Sequence, residues 1–168
     1  MPNWCDNTLR VKGPAEDINK FQMACRNKDG DLPEHTELSL QRLWPCPPSI
    51  LHNKPDMKDI PFEQKVLYMR PRVEVPPEYD DWYTWRVRNW GTKWDVKASI
   101  RRVDSFKNGN MEIIYDFDSA WSPPCEAFKK ICEDWPTLTF KLKYIGEGNE
   151  FRGIDIFKAE AVDRNSAI

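Results

Sequence analysis

Glycine is scarce, at seven of 168 residues, and histidine scarcer, at two. Neither a P-loop nor a dinucleotide-binding glycine pattern occurs, so no phosphate cradle of those types is encoded. The run Gly146-Glu147-Gly148 sits in a turn and opens no helix. His35 and His52 both fall in a proline-rich stretch, without metal-ligand spacing and without a recognisable nucleophile partner. The five cysteines (Cys5, Cys25, Cys46, Cys125 and Cys132) form no C-x-x-C pair. Their odd number and scatter argue against a disulfide framework and read as reduced thiols packed like small apolar groups. A zinc site drawing on Cys125, Cys132, His35 and His52 would need an unusual geometry. No apolar run nears the roughly 20 residues that span a bilayer. The first residues show no basic start before an apolar stretch, so the expectation is a soluble, cytoplasmic protein without a secretory signal. With 25 basic and 27 acidic side chains, the net charge of −2 excludes a globally basic nucleic-acid binder and a strongly acidic mimic, though not a local patch. No catalytic residue, metal ligand or cofactor is assigned.

What the chain has in excess is tryptophan (eight) and proline (14). Thr8 to Lys12 alternates polar and apolar as a half-buried strand does, and Gly13-Pro14 breaks it. Ile18, Phe21 and Cys25 then share one face of a helix expected over residues 15–26, with Glu16 and Asp17 at its positive end and Lys28-Asp29-Gly30-Asp31 closing it. Between Pro33 and Pro77 lie nine of the prolines, which cannot sit inside helices or central strands. This stretch reads as a wrapping insertion, residues 27–94, with short helical pieces near Ile50 and over residues 62–68. Alternation returns at Val96, Ala98 and Ile100. Asn108-Gly109 marks a hairpin into Met111, Ile113, Tyr115 and Phe117. Ser122-Pro123-Pro124 suits a helix start, followed by the stripe Phe128, Ile131, Cys132 and Trp135 up to Pro136. Leu138, Phe140, Leu142 and Tyr144 form a further strand, paired through a turn with residues 151–157. Residues 159–168 are expected to be a flexible tail.

Without the insertion the order is β-α-β-β-α-β plus one strand. That is an α+β, ferredoxin-like split βαβ pattern: an antiparallel sheet with two helices on one face, within one domain over residues 1–158. Iron–sulfur chemistry is not implied, because no cysteine cluster exists to hold it.

Four blocks occur in order: Met1-Pro2-Asn3-Trp4-Cys5 with Asn7-Thr8-Leu9; Asn89-Trp90-Gly91-Thr92-Lys93-Trp94-Asp95; Ala120-Trp121-Ser122-Pro123-Pro124; and the hairpin from Tyr144 to Gly153. In these residues the chain resembles the YubB-like ferredoxin-like domain family, uncharacterised proteins carried by bacterial plasmids and phages. The sequence departs from that pattern at Pro45-Cys46-Pro47, where relatives tend to have Pro-Met-Pro, and at Gly146, where an acid is expected. The resemblance implies the fold, a mobile-element origin and residence in the cytoplasm of a bacterial host cell. It brings no established activity.

The candidate interaction surface is the aromatic-basic segment that rejoins the sheet: Trp82, Trp85, Arg86, Arg88, Asn89, Trp90, Lys93 and Trp94, with Asp118 and Trp121 at a strand–helix junction. From Trp82 to Arg102 the only acid is Asp95 among six basic residues. Aromatics among cations can anchor a protein partner or stack bases and neutralise phosphates. They can equally cover the sheet and hold the insertion down, with Gly91 allowing a tight turn. The acids Glu78, Asp80 and Asp81 just upstream would weaken attraction to phosphate. Lys93 or Asp95 is expected to latch Asp118, and Trp4 to pack on the same corner. The leading expectation is a non-enzymatic protein that binds a host bacterial protein, with inhibition of a restriction- or CRISPR-type defence as its effect. A single-stranded nucleic-acid module using the open sheet face is the alternative. A metal-dependent hydrolase or nucleotide-handling enzyme using Asp116 and Asp118 ranks last. The oligomeric state is not legible.

Overall fold

The computed structural model describes residues 2–27, 35–67, 70 and 73–160. β1 (Trp4–Pro14) is the central strand, and its alternation is complete: Cys5, Asn7, Leu9, Val11 and Gly13 are buried while their neighbours face outward. A period of two under one buried face fixes the register, because a one-residue slip would turn Leu9 and Val11 into solvent. α1 (Ala15–Cys25) follows, burying Ile18, Phe21 and Cys25, with Glu16 and Asp17 in its first turn. Four short helices come next: α2 (Leu40–Leu43), α3 (Pro48–Leu51), α4 (Phe62–Lys65) and α5 (Trp82–Trp90). The hairpin β2 (Ser99–Ser105) and β3 (Asn110–Ala120) leads to α6 (Cys125–Asp134), then β4 (Thr139–Gly146) and β5 (Arg152–Phe157).

The sheet order is β2-β3-β1-β4-β5, and every neighbouring pair is antiparallel. The first four strands have the split βαβ arrangement of a ferredoxin-like domain, and β5 extends it by one. Leu9, Val11, Tyr115, Phe140 and Leu142 form the inner sheet face against Ile18, Phe21, Phe128 and Ile131 of the helices. Phe21 is the centre of the aromatic packing, edge-on to Trp135 at 5.3 Å and to Phe140 at 5.4 Å between ring centroids. The other sheet face is uncovered by any helix among the described residues.

Three local expectations are corrected. Residues 82–90, read as an irregular aromatic segment, form α5. Asp81 caps it by accepting from the Tyr83 and Thr84 N–H groups at 2.8 and 2.9 Å, and Gly91 ends it in the left-handed region at φ 81°. β2 begins at Ser99 rather than Val96, because Ala98 is drawn off to the 36–37 segment, its N–H donating to Thr36 Oγ1 at 2.8 Å. A bulge lies between Ile100 and Arg102. Ser122 does not cap α6. Its hydroxyl donates to the Gly91 carbonyl, which ties the end of α5 to the start of α6. The expected helix closure at Lys28–Asp31 lies outside the described residues, as do Tyr68 of the second helical piece and residues 161–168 of the expected tail.

One carboxylate fastens the segment between α1 and β2 to the sheet. Asp95 Oδ2 accepts from Ser39 Oγ at 2.6 Å, and Oδ1 accepts from the Leu40 N–H at 2.6 Å and the Val96 N–H at 2.8 Å. The Gln41 N–H adds a longer contact at 3.4 Å. Burial raises the Asp95 pKa, and the hydrogen bonds from Ser39, Val96, Leu40 and Gln41 oppose that rise. Removing the acceptor strands several buried donors at once. Asp95→Ala is therefore expected to cost about 3 kcal/mol of folding stability, read as a lower urea midpoint. A loss below about 0.5 kcal/mol, the size of an ordinary surface substitution, would show that the clasp carries no weight.

Candidate functional site

The aromatic-basic segment is sorted by α5 into an inner and an outer set. Trp90 is fully buried and its indole N–H donates to the Trp44 carbonyl at 2.9 Å. Trp85 packs edge-on to Trp90 at 5.9 Å and to Trp44 at 5.6 Å. Arg88 forms a buried ion pair with Asp80, and Asn89 is spent on the Trp85 carbonyl at 3.0 Å. These four residues, expected on an interaction surface, are interior: they join the inserted helices to the core and present nothing to a partner. Asp80 and Asp81 are likewise consumed, one by Arg88 and one as the α5 cap, so of the expected acidic patch only Glu78 is exposed. Arg86 lies half-buried over the rings of Trp82 and Trp90, at 5.2 and 4.8 Å, and burial lowers its pKa. Trp82 is partly buried against the core.

The remaining candidates converge on one corner. Thr92 is buried and its hydroxyl donates to the Ala120 carbonyl at 2.9 Å, which brings the chain after α5 to the end of β3. Trp94 then meets Trp4, at 5.9 Å between centroids with the rings tilted by 39°. Lys93 lies over both Tyr83 and Trp94, at 5.1 and 4.8 Å. Trp121 stands 54% exposed and Trp4 44%. They are neighbours through the β1–β3 register, where Trp4 opposes Ala120, and the Trp121 N–H donates to the Asn3 carbonyl at 2.8 Å. Trp121 has φ 72°, a conformation that costs a bulky side chain about 1 kcal/mol or more. It is held there by a turn in which Ser119 Oγ donates to the Ser122 carbonyl at 2.7 Å and accepts from Asn7 Nδ2 at 2.9 Å. Glu147 adds the last fastening, accepting from the Trp4 N–H at 2.9 Å.

The expected latch on Asp118 is absent. Asp95 is held in its clasp by Ser39, Leu40 and Val96, and Lys93 is committed to aromatic faces. Asp118 is exposed, directly opposite Asp6 across β1 and β3, and its pKa is raised by partial burial and by that neighbour. Asp116, its proposed partner for a metal, accepts instead from Arg101 at 2.6 Å and Thr8 at 3.0 Å. Among the described residues no three His, Cys, Asp or Glu side chains converge to hold a metal ion.

The thiols are equally committed. Burial pushes Cys5 and Cys46 up to about 11 and Cys25 and Cys125 up to about 12. Cys125 Sγ donates to Asp155 Oδ2 at 3.4 Å, and Tyr144 donates to the same oxygen at 3.1 Å. This carboxylate holds the thiol neutral, the reverse of what a nucleophile requires. Sequence reading placed Trp4 at this corner without counting it among the contact residues, and left Tyr83 out of them. The signal for Trp4 was its place at the even, outward-facing positions of β1.

Residues 90–165 match the family model described as the ferredoxin-like domain in Api92-like protein. The fold is ferredoxin-like. The matched stretch begins at Trp90 and holds β2 to β5 and α6, while the central strand β1 lies outside it. The crystal structure of a protein api92 from Yersinia pseudotuberculosis is similar over 94% of this chain and 95% of that one, with 9% identity and a TM-score of 0.49. No curated protein matches the sequence. No helix among the described residues is long and apolar enough to cross a membrane.

Two outcomes follow from these environments. A raised folded-state pKa means that Asp118 favours the native state only below the ordinary carboxylate range, and that this benefit is lost as pH rises through the raised value. Asp118→Asn should therefore stabilise the protein by about 0.5 kcal/mol near neutrality and leave it unchanged near about pH 3. Equal effects at both pH values would refute the Asp6–Asp118 repulsion. For the thiols, a rise of two units from the ordinary value of 9.0 to about 11 predicts a thiolate fraction about 100-fold smaller. Native protein at about pH 7.5 should react with a thiol reagent at least that much more slowly than protein unfolded in urea.

Proposed function

We propose that this chain is a non-enzymatic binding protein of a phage or plasmid, which engages a host bacterial protein through the corner built from Trp4, Trp94 and Trp121. The observation that carries this reading is the convergence of three indoles from three separate segments, Trp4 and Trp121 exposed and Trp94 partly exposed, with Trp121 held at a positive φ. An indole needed only as core filler gains nothing by standing half exposed. Backbone strain at an exposed aromatic is what a presented contact residue would require. Trp and Tyr beside a cation are the side chains that dominate protein interfaces, and Tyr83 and Lys93 flank the indoles here. The mobile-element origin rests on the resemblance of the four sequence blocks, and a counter-defence effect on a restriction- or CRISPR-type system is the role such an origin favours.

The nucleic-acid alternative has cations on the open sheet face, namely Arg10, Lys12, Lys141 and Lys143. It has few stacking partners: among the described residues of that face the rings are Trp4, at one end, and Phe106 beside Lys12. Sequence-tolerant binding of single strands draws on aromatic platforms, so the protein-binding reading is preferred.

The test is a Trp4→Ala, Trp121→Ala double variant, whose fold is checked by circular dichroism. Wild-type protein used as bait in a bacterial lysate at near-physiological salt should retain a defined host protein. That protein, once purified, should bind the double variant about 30-fold or more weakly, as for loss of a hot-spot tryptophan. A lysate that yields no partner, or a partner held equally well by the folded variant, overturns the proposal.

A further inference from the structure

The two edges of the sheet are built differently. β2, at one edge, carries a bulge between Ile100 and Arg102 and the charged outward residues Arg101, Arg102 and Asp104. These are the devices that keep an edge strand from pairing with other chains. β5, at the other, has no bulge, and its one charged outward residue is Arg152 at its start. Its register with β4 runs unbroken from Arg152 opposite Ile145 to Phe157 opposite Phe140. It contains no proline, and after Arg152 its outward side chains are apolar: Ile154 is 55% exposed and Ile156 65%.

The charge around this edge is one-sided. Lys143 and Lys141 stand opposite Ile154 and Ile156 on β4, and Arg152 begins β5. On the β1–β3 half of the same face the cations are answered, Arg10 by Glu112 at 3.1 Å and Arg101 by Asp116 at 2.6 Å. On the β4–β5 half no ion pair answers them among the described residues: Asp155, the one acid of β5, points to the helix side and is taken by Cys125 and Tyr144. A trough of about 720 Å³ lies on this face, bounded by Lys141, Lys143, Ile145, Ile154 and Ile156 on the β4–β5 side.

We infer that the free edge of β5 accepts an extended segment of a partner protein as a sixth strand, and that this segment carries apolar residues flanked by acidic ones at alternate positions. Strand addition supplies backbone hydrogen bonds, and alternate side chains supply selectivity. The apolar residues of the added strand cover Ile154 and Ile156. Its acids meet Arg152 and reach across β5 toward Lys141 and Lys143, about two strand spacings or ~10 Å away, within the span of two long side chains. A second copy of this chain is a poorer occupant, because it would set one Lys141, Lys143 and Arg152 cluster beside another. A nucleic acid is poorer still: it would find no ring to stack on along this edge, and it leaves the isoleucines uncovered.

The probe is a fluorescein-labelled peptide of sequence Glu-Thr-Ile-Thr-Val-Thr-Glu, followed by anisotropy against the full chain. It should bind, and at least about tenfold more tightly than the peptide with Lys in place of both Glu. Ile154→Lys, which adds a guard charge at an exposed position, should weaken binding about tenfold. Lys141→Glu with Lys143→Glu should reverse the preference between the two peptides, which a merely structural role for these lysines would not do. The Trp4→Ala, Trp121→Ala variant should bind the peptide as wild type does, so failure here is distinct from failure of the indole corner. Equal or absent binding of the two peptides overturns the inference. So does tighter binding of a labelled oligothymidine, or a concentration-dependent dimer abolished by Ile154→Lys.

Discussion

A partly buried, fully hydrogen-bonded carboxylate decides which tryptophans this protein shows. Asp95 is drawn in from water only because Ser39, Leu40 and Val96 bring donors to it at 2.6–2.8 Å. A charge removed from water without such partners would be neutralised or expelled. Once those donors are in place, the chain on either side has little freedom. Upstream, Trp90 is fixed in the core and Gly91 turns the chain in a conformation that a Cβ would strain. Downstream, Val96 and Ala98 run beside residues 36–37 before β2 begins. Between these anchors only Lys93 and Trp94 are left to point outward.

That constraint explains why one compact sequence block serves two ends. Of the indoles near it, Trp85 and Trp90 are structural, and with Trp44 they form an edge-to-face cluster that joins the inserted helices to the sheet. Trp94 is the exception, and its partner is Trp4, which lies some ninety positions earlier and outside the segment that matches the Api92-like ferredoxin-like domain. The corner therefore exists only in the folded chain. It requires the central strand to bring Trp4, the wrapping segment to bring Trp94 and the β3–α6 turn to bring Trp121.

The sheet was legible because its physics is local. Alternation in β1, β3 and β4, broken in β3 at Ile114, and the Asn108-Gly109 turn specify strands and register with little help from tertiary contacts. α5 was not legible in that way. Its nine residues are mostly aromatic and basic, with weak intrinsic preference for helix, and the informative marks were its ends, Asp81 and Gly91. The candidate site was half legible. Composition drew attention to the aromatic-basic segment, but it cannot tell which face of an unrecognised helix is inward. Arg88 and Asn89 were therefore counted as contact residues when they are interior. The β5 edge was passed over for a related reason. Ile154, Ile156 and Phe157 read together as an ordinary apolar strand, whereas Phe157 faces the core and the two isoleucines face out.

The same accounting bears on the choice between contact and catalysis. Reactive groups in enzymes are distinguished by incomplete satisfaction: a base with a free lone pair, a thiol pulled toward its anion, acids whose partners are absent until substrate arrives. Here most of the polar groups that could react are engaged, and the exception is the exposed pair Asp6 and Asp118. The acids at Asp80, Asp95, Asp116 and Asp155 each hold a named donor, and the thiols are pushed toward their neutral form. The fold also leaves apolar and cationic surface unmet among the described residues: partly exposed indoles at one corner, and two isoleucines beside Lys141 and Lys143 at an edge. Surface of that kind is relieved by being covered, which is the physical basis for proposing a macromolecular partner.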